Sequence, residues 1–116
     1  MNNHRDEVLF PFQRLDVYLV ARELAVRVEA AKIGDRELRD QATRAAKSVL
    51  LRLSEGLPHR TQPMRRKYFA EANGSVYEVA AAVDVAGLTG AMRAADVQRA
   101  TSLAVRITQM LSRLMR

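Results

Sequence analysis

The chain has 116 residues, 48% apolar and 28% charged, with a formal net charge of +6, which fits one folded domain and excludes a disordered segment. It contains no cysteine, so disulfides, thiolate metal sites and cysteine nucleophiles are excluded. No stretch stays apolar for the roughly 18 residues a membrane helix needs, and Met1 to Glu7 has no apolar run of the kind a secretory leader carries, so a cytoplasmic protein without membrane contact is expected.

Aromatic residues make up only 5% of a chain rich in Ala and Leu, with three prolines, and this balance favours helices. The first helix is expected over about residues 15–31, where Val17, Val20, Leu24, Val28 and Ala31 recur at steps of three and four. Asp16 suits its amino-terminal dipole, and Ile33-Gly34-Asp35 reads as a stop followed by an N-cap. A second helix is expected over 36–55, with Leu38, Ala42, Ala45, Val49 and Leu53 inward. Gly56 then suits the left-handed position beyond its end, and Pro58 blocks continuation.

The third helix is expected over 62–86, with Pro63 in its first turn. Two readings conflict in its middle. Asn73-Gly74 followed by Ser75-Val76-Tyr77-Glu78 resembles a break and a capping box. The stripe Phe69, Ala72, Val76, Val79, Val83, Ala86 runs through without a slip and favours one continuous helix. Gly87 and Gly90 bracket a turn, and a fourth helix is expected over 94–116 with Val97, Ala100, Ala104, Ile107, Leu111 and Leu114 inward. Four amphipathic helices with short connections predict an all-α, antiparallel up-and-down four-helix bundle in a single domain covering 1–116.

Two apolar features exceed what such a core needs. Leu103 and Met110 flank the main stripe of the fourth helix, and Leu51 lies beside Arg44 and Lys47, away from the core stripe of the second. Leftover apolar surface predicts a homo-oligomer built on these three residues.

Charge is segregated along the chain. Residues 1–40 sum to −1, residues 41–70 to +6, residues 71–84 to −3 and residues 85–116 to +4. Arg44, Lys47, Arg52, Arg60, Arg65, Arg66 and Lys67 fall within 24 positions whose only acid is Glu55. Such segregation suggests an anionic partner, with a solvated basic face as the plain alternative. Arg65, Arg66 and Lys67 also sit at a helix amino terminus, where cations are disfavoured by a few tenths of a kcal/mol, up to about 1. A phosphate backbone crossing that end would meet several of these charges at once. Tyr68 is placed to stack on a base, though packing alone would also explain it. Arg99, Arg106 and Arg113, spaced by seven, align on an outer face of the fourth helix, as a solubilising stripe or a second phosphate surface.

Equipment for catalysis is missing. His4 and His59 are far apart and lack carboxylates at ligand spacing, so no metal or other cofactor is expected. Ser54 and His59 have no nucleophile elbow or orienting acid. Gly87-Leu88-Thr89-Gly90 lacks the Lys-Ser/Thr ending of a phosphate loop, and Glu71 and Glu78 fall on the predicted outer face. The chain reads as non-enzymatic.

Phe12-Gln13-Arg14-Leu15-Asp16-Val17-Tyr18, Gln41 to Val49 with Ser54-Glu55-Gly56, and Tyr68-Phe69-Ala70 with Ala72 to Glu78 together resemble the bacterial four-helix bundle proteins encoded in intervening sequences of large-subunit ribosomal RNA genes. The resemblance runs from Phe12 to Leu114. It implies a homopentameric ring of antiparallel bundles. It also points to the similar accessory variability proteins of diversity-generating retroelements, which bind nucleic acid and a reverse transcriptase. The chain departs from the family where the fourth helix opens, with Arg93-Ala94-Ala95-Asp96 in place of a capping hydroxyl.

Two functions compete. One is an accessory protein that holds RNA or DNA phosphates with Arg44, Lys47, Arg60, Arg65, Arg66 and Lys67. The other is a protein-interaction scaffold whose charges serve solubility or an acidic partner.

Overall fold

The computed structural model describes residues 8–116, and every regular element within them is helical. A 3-10 turn at Pro11–Arg14 leads into α1 (Asp16–Ala30), α2 (Arg36–Gly56), α3 (Gln62–Leu88) and α4 (Ala94–Leu114). Each helix lies within two residues of its expected bounds. α1 and α3 each pack on both α2 and α4, whereas the diagonal pairs do not touch. Short connections reverse the chain at each step, so the helices form an antiparallel up-and-down square.

The inward stripes read from periodicity meet in one core. Leu24 and Val28 of α1, Val49 and Leu53 of α2, Phe69, Val76, Val79 and Val83 of α3, and Ile107 and Leu111 of α4 are almost wholly buried. Each such side chain contributes about 1.5–3 kcal/mol relative to exposure. The most extensive helix contact is α2 on α3. Both helices line it with small residues, among them Ala42, Ala45, Ala46, Ala72 and Ala82, which lets the two axes approach. Leu114 departs from its expected place: it is 40% exposed at the last residue of α4, while Leu111 and Met115 face the core.

The helix ends show where local signals were reassigned. Asp35 caps α2 as expected, its Oδ1 accepting from the Leu38 N–H at 2.9 Å. Gly34 does not take the left-handed position after α1; Lys32 does, with φ 48°. Gly34 instead brings two connections together, its N–H donating to the Ala91 carbonyl at 2.8 Å. Ile33 is thereby buried at this end of the bundle. At the end of α3, Gly90 has φ 78°, and the N–H groups of Ala91 and Gly90 donate to the carbonyls of Ala86 and Gly87. These paired bonds form a Schellman cap. Gly87 lies inside α3, where an added Cβ would stand 3.0 Å from Val97 Cγ2.

The middle of α3 is unbroken. Ser75 starts no new helix: its hydroxyl is buried and donates to Ser48 Oγ at 2.9 Å across the α2–α3 contact. α4 begins at Ala94 without a side-chain cap, and Arg93 instead pairs with Asp96 at 3.2 Å. At the other terminus, Phe12 packs edge-on against Tyr18 with ring centroids 5.1 Å apart, holding the 3-10 turn on α1.

Candidate nucleic-acid interface

The α2–α3 connection is built from a helix that ends late and a helix that starts early. α2 continues through Gly56 to a cap at Leu57, so Gly56 is helical and buried, not left-handed. Close approach of α3 accounts for the glycine itself: a Cβ on Gly56 would lie 2.7 Å from Tyr68 Cβ and 3.2 Å from Phe69 Cε1. Pro58 then forces the turn, and α3 opens after Thr61 with Pro63 in its first turn.

Four of the six predicted phosphate contacts gather at this end of the bundle. Arg60, Arg66 and Lys67 are exposed. Arg65 is half-buried and has a structural partner, its Nη2 donating to the Leu57 carbonyl at 3.2 Å. That bond satisfies one of the orphan carbonyls at the end of α2, and it makes Arg65 a clamp on the turn. The lone acid of the run is engaged as well. Glu55 accepts from Arg52 at 2.7 Å, and that hydrogen bond, with the Glu55 charge, holds the Arg52 guanidinium above its usual pKa. Arg60, Arg66 and Lys67 therefore present positive charge with no carboxylate bridged to them among the described residues.

Tyr68 is half-buried here, with the His59 ring stacked on it at 5.2 Å and 7° and Lys67 Nζ 5.4 Å from its centroid. A face covered by His59 is not open to a base, so Tyr68 is a packing residue of the turn. His4 lies outside the described residues, and among those described no group of three or more His, Cys, Asp or Glu could hold a metal.

Arg44 and Lys47 are exposed but do not join this cluster. Arg44 precedes Gly56 by twelve residues, about 18 Å along the helix axis. It lines a separate groove between α2 and α3 with Gln41, Ser48, Ser75 and the carboxylates of Glu37 and Glu78. On the other side of α3, a groove against α4 is lined by Asn73, Tyr77, Thr108, Ser112, Arg113 and Arg116, and no acid is among its lining residues. Of the expected series Arg99, Arg106 and Arg113, only Arg113 belongs to it. Sequence reading passed over Asn73 and Tyr77 as site residues. Their signal is present: Arg66, Asn73 and Tyr77 fall on one side of α3 by helical spacing.

The expected apolar surface is redistributed. Leu103 is buried in the core, because Ala100 and Ala104 beside it leave room for its side chain to turn inward. Met110 is half-buried against the same core. Leu51 alone of the three is exposed, at 61%. Other exposed apolar residues are Leu15 at the start of α1, Leu19 and Val26 on its side away from the core, and Val85 and Leu88 at the end of α3. No helix among the described residues is long and apolar enough to cross a membrane.

The fold and this surface define a basic, all-α four-helix bundle. The chain belongs to the 23S rRNA-intervening sequence protein family, whose model matches residues 13–113. No curated protein matches the chain. The residues quoted for the resemblance largely have packing roles: Gly56 meets Tyr68 and Phe69, and Ser48 meets Ser75, where α2 and α3 lie closest.

Proposed function

We propose that this protein is a non-enzymatic accessory protein that binds RNA or DNA in the cytoplasm by holding phosphates on a basic surface, and that it works as a homo-oligomer, a pentamer by family resemblance. The observation that carries the reading is the end of the bundle at the α2–α3 turn. Arg60, Arg66 and Lys67 are exposed there with no carboxylate bridged to them among the described residues, while Glu55 is bound to Arg52 and Glu71 follows one turn after Lys67 on α3. Cations placed against the α3 amino terminus are unfavourable for the isolated domain and become favourable when a polyanion lies across them. Membership of a family named for ribosomal RNA intervening sequences is compatible with a nucleic-acid partner.

Phosphate contacts of this kind set affinity and orientation, not sequence preference. Repetition of the surface around an oligomer would turn a weak site into a useful one. The test is binding of the intact protein to RNA, single-stranded DNA and duplex DNA at two salt concentrations. Affinity that falls steeply with salt supports the reading, and no affinity at low salt ends it.

The scaffold reading draws on a separate observation, the exposed apolar residues Leu15 at the start of α1, Leu19 and Val26 of α1 and Val85 and Leu88 of α3. These sit on diagonal helices and offer faces to a second copy or to another protein. By the resemblance to retroelement accessory proteins, a reverse transcriptase is one such partner.

A further inference from the structure

We propose that the groove between α3 and α4 is a binding site for single-stranded nucleic acid, with Tyr77 as the platform on which a base stacks. This rests on the nucleic-acid reading above and adds the strand type and the residues that meet a base.

Three features of the groove converge. Tyr77 is 65% exposed, so its ring gains little from the bundle and presents an aromatic surface to whatever enters. Asn73, one turn earlier on α3, has its Oδ1 buried with no hydrogen-bond partner among the described residues. A buried acceptor without a donor is a rare condition, and a turn of the half-buried Asn73 side chain toward the groove lets the exocyclic amine of a base supply the missing donor. Arg113 and Arg116 line the same groove, and Arg66 lies two turns before Asn73 on that side of α3. These cations suit the phosphates on either side of a stacked base. The remaining lining includes the hydroxyl and amide groups of Thr108, Gln109 and Ser112.

An aromatic platform beside cations, with no acid in the lining, is the pattern of a single-strand groove. The groove on the opposite side of α3 lacks it. There Arg44 shares the lining with Glu37 and Glu78, which repel a phosphate backbone, and no aromatic residue is present. A duplex keeps its bases stacked inside, so it reaches the cations but not the Tyr77 ring. Stacking on Tyr77 therefore adds affinity for single strands only, while the cations of the groove and of the turn act on both forms.

The experiment measures anisotropy of labelled oligouridylate, oligoadenylate and a duplex of the same length with the intact protein, Tyr77→Ala and Tyr77→Phe. Tyr77→Ala is expected to weaken binding to single strands by at least about fivefold and to leave duplex binding unchanged, while Tyr77→Phe, which keeps the ring, stays close to the intact protein. A strand carrying 4-thiouridine should photocrosslink to the α3 peptide that contains Tyr77. Single-strand affinity unchanged in a Tyr77→Ala protein that melts normally overturns the proposal, as does crosslinking confined to another surface. Failure of the intact protein to bind any probe at low salt is a different result, since it removes the nucleic-acid reading itself and this groove with it.

Discussion

Gly56 of α2 lies so close to Tyr68 of α3 that a Cβ on the glycine would stand 2.7 Å from the tyrosine Cβ. This contact sets how near the two helices come at the end of the bundle where Arg60, Arg66 and Lys67 project. It also explains a glycine in the last turn of a helix, which otherwise costs about 1 kcal/mol relative to alanine. Gly56→Ala should destabilise the domain by about 1–3 kcal/mol through overpacking, despite its better helix propensity. Urea denaturation followed by circular dichroism measures this, and a variant as stable as the parent would show that the contact is slack.

Val76 is 1% exposed in the middle of α3, with no charged group to receive a partner. Val76→Asp should unfold the bundle, because an unpaired carboxylate in that position costs several kcal/mol, comparable to the whole stability of a small domain. Loss of the cooperative thermal transition is the expected observation. Melting like the parent would mean that the stripe on α3 faces elsewhere.

Lys32 occupies the left-handed region with φ 48° at the end of α1, a conformation that costs a residue with a Cβ about 1–2 kcal/mol. Lys32→Gly should therefore raise the stability, by about 0.5–1 kcal/mol once the greater freedom of glycine in the unfolded chain is counted. Chemical denaturation of the two proteins at the same concentration checks the sign. A less stable variant would assign Lys32 a stabilising role that its backbone does not reveal.

The basic turn should separate into binding and structural residues. Replacing Arg60, Arg66 and Lys67 together with Ala should leave the melting curve unchanged, weaken binding to all sequences alike and flatten the dependence of affinity on salt. Arg65→Ala should instead lower the stability, by about 1–2 kcal/mol, since it strips the donor from the Leu57 carbonyl. Paired measurements of melting and salt-dependent binding distinguish the two sets. An equal loss of stability in both would show that the whole turn is structural.

Assembly is expected to use apolar faces that the core leaves uncovered. Light scattering at micromolar concentration should give a mass several times that of the 13.0 kDa chain. The pair Leu19→Glu and Val26→Glu, on the outer face of α1, should shift that mass toward the monomer while helicity is kept. A monomer mass for the unaltered protein would remove the oligomer from the proposed function.

The number of helices, their bounds to within two residues and most of their inward faces were determined by the sequence alone. The physical reason is that a period of three and four marks which side of one helix avoids water, and Val76 or Ile107 carries that mark wherever the helix is placed. Local caps were legible only where a side chain acts on its own backbone, as Asp35 does. What depends on two helices at once was decided by the tertiary structure. Gly56 and Gly34 looked like helix terminators and proved to be points of close approach, to Tyr68 and to Ala91. Leu103 looked like spare surface and proved to be core, because Ala100 and Ala104 beside it leave space. Six cations close in sequence were split between a turn, a clamp and the mixed groove of Arg44. Asn73 and Tyr77, silent as a site in one dimension, came to face Arg113 and Arg116 only when α3 and α4 packed. Burial of a face is a property of one helix, whereas a site is a property of the distances between helices, and those are set by packing.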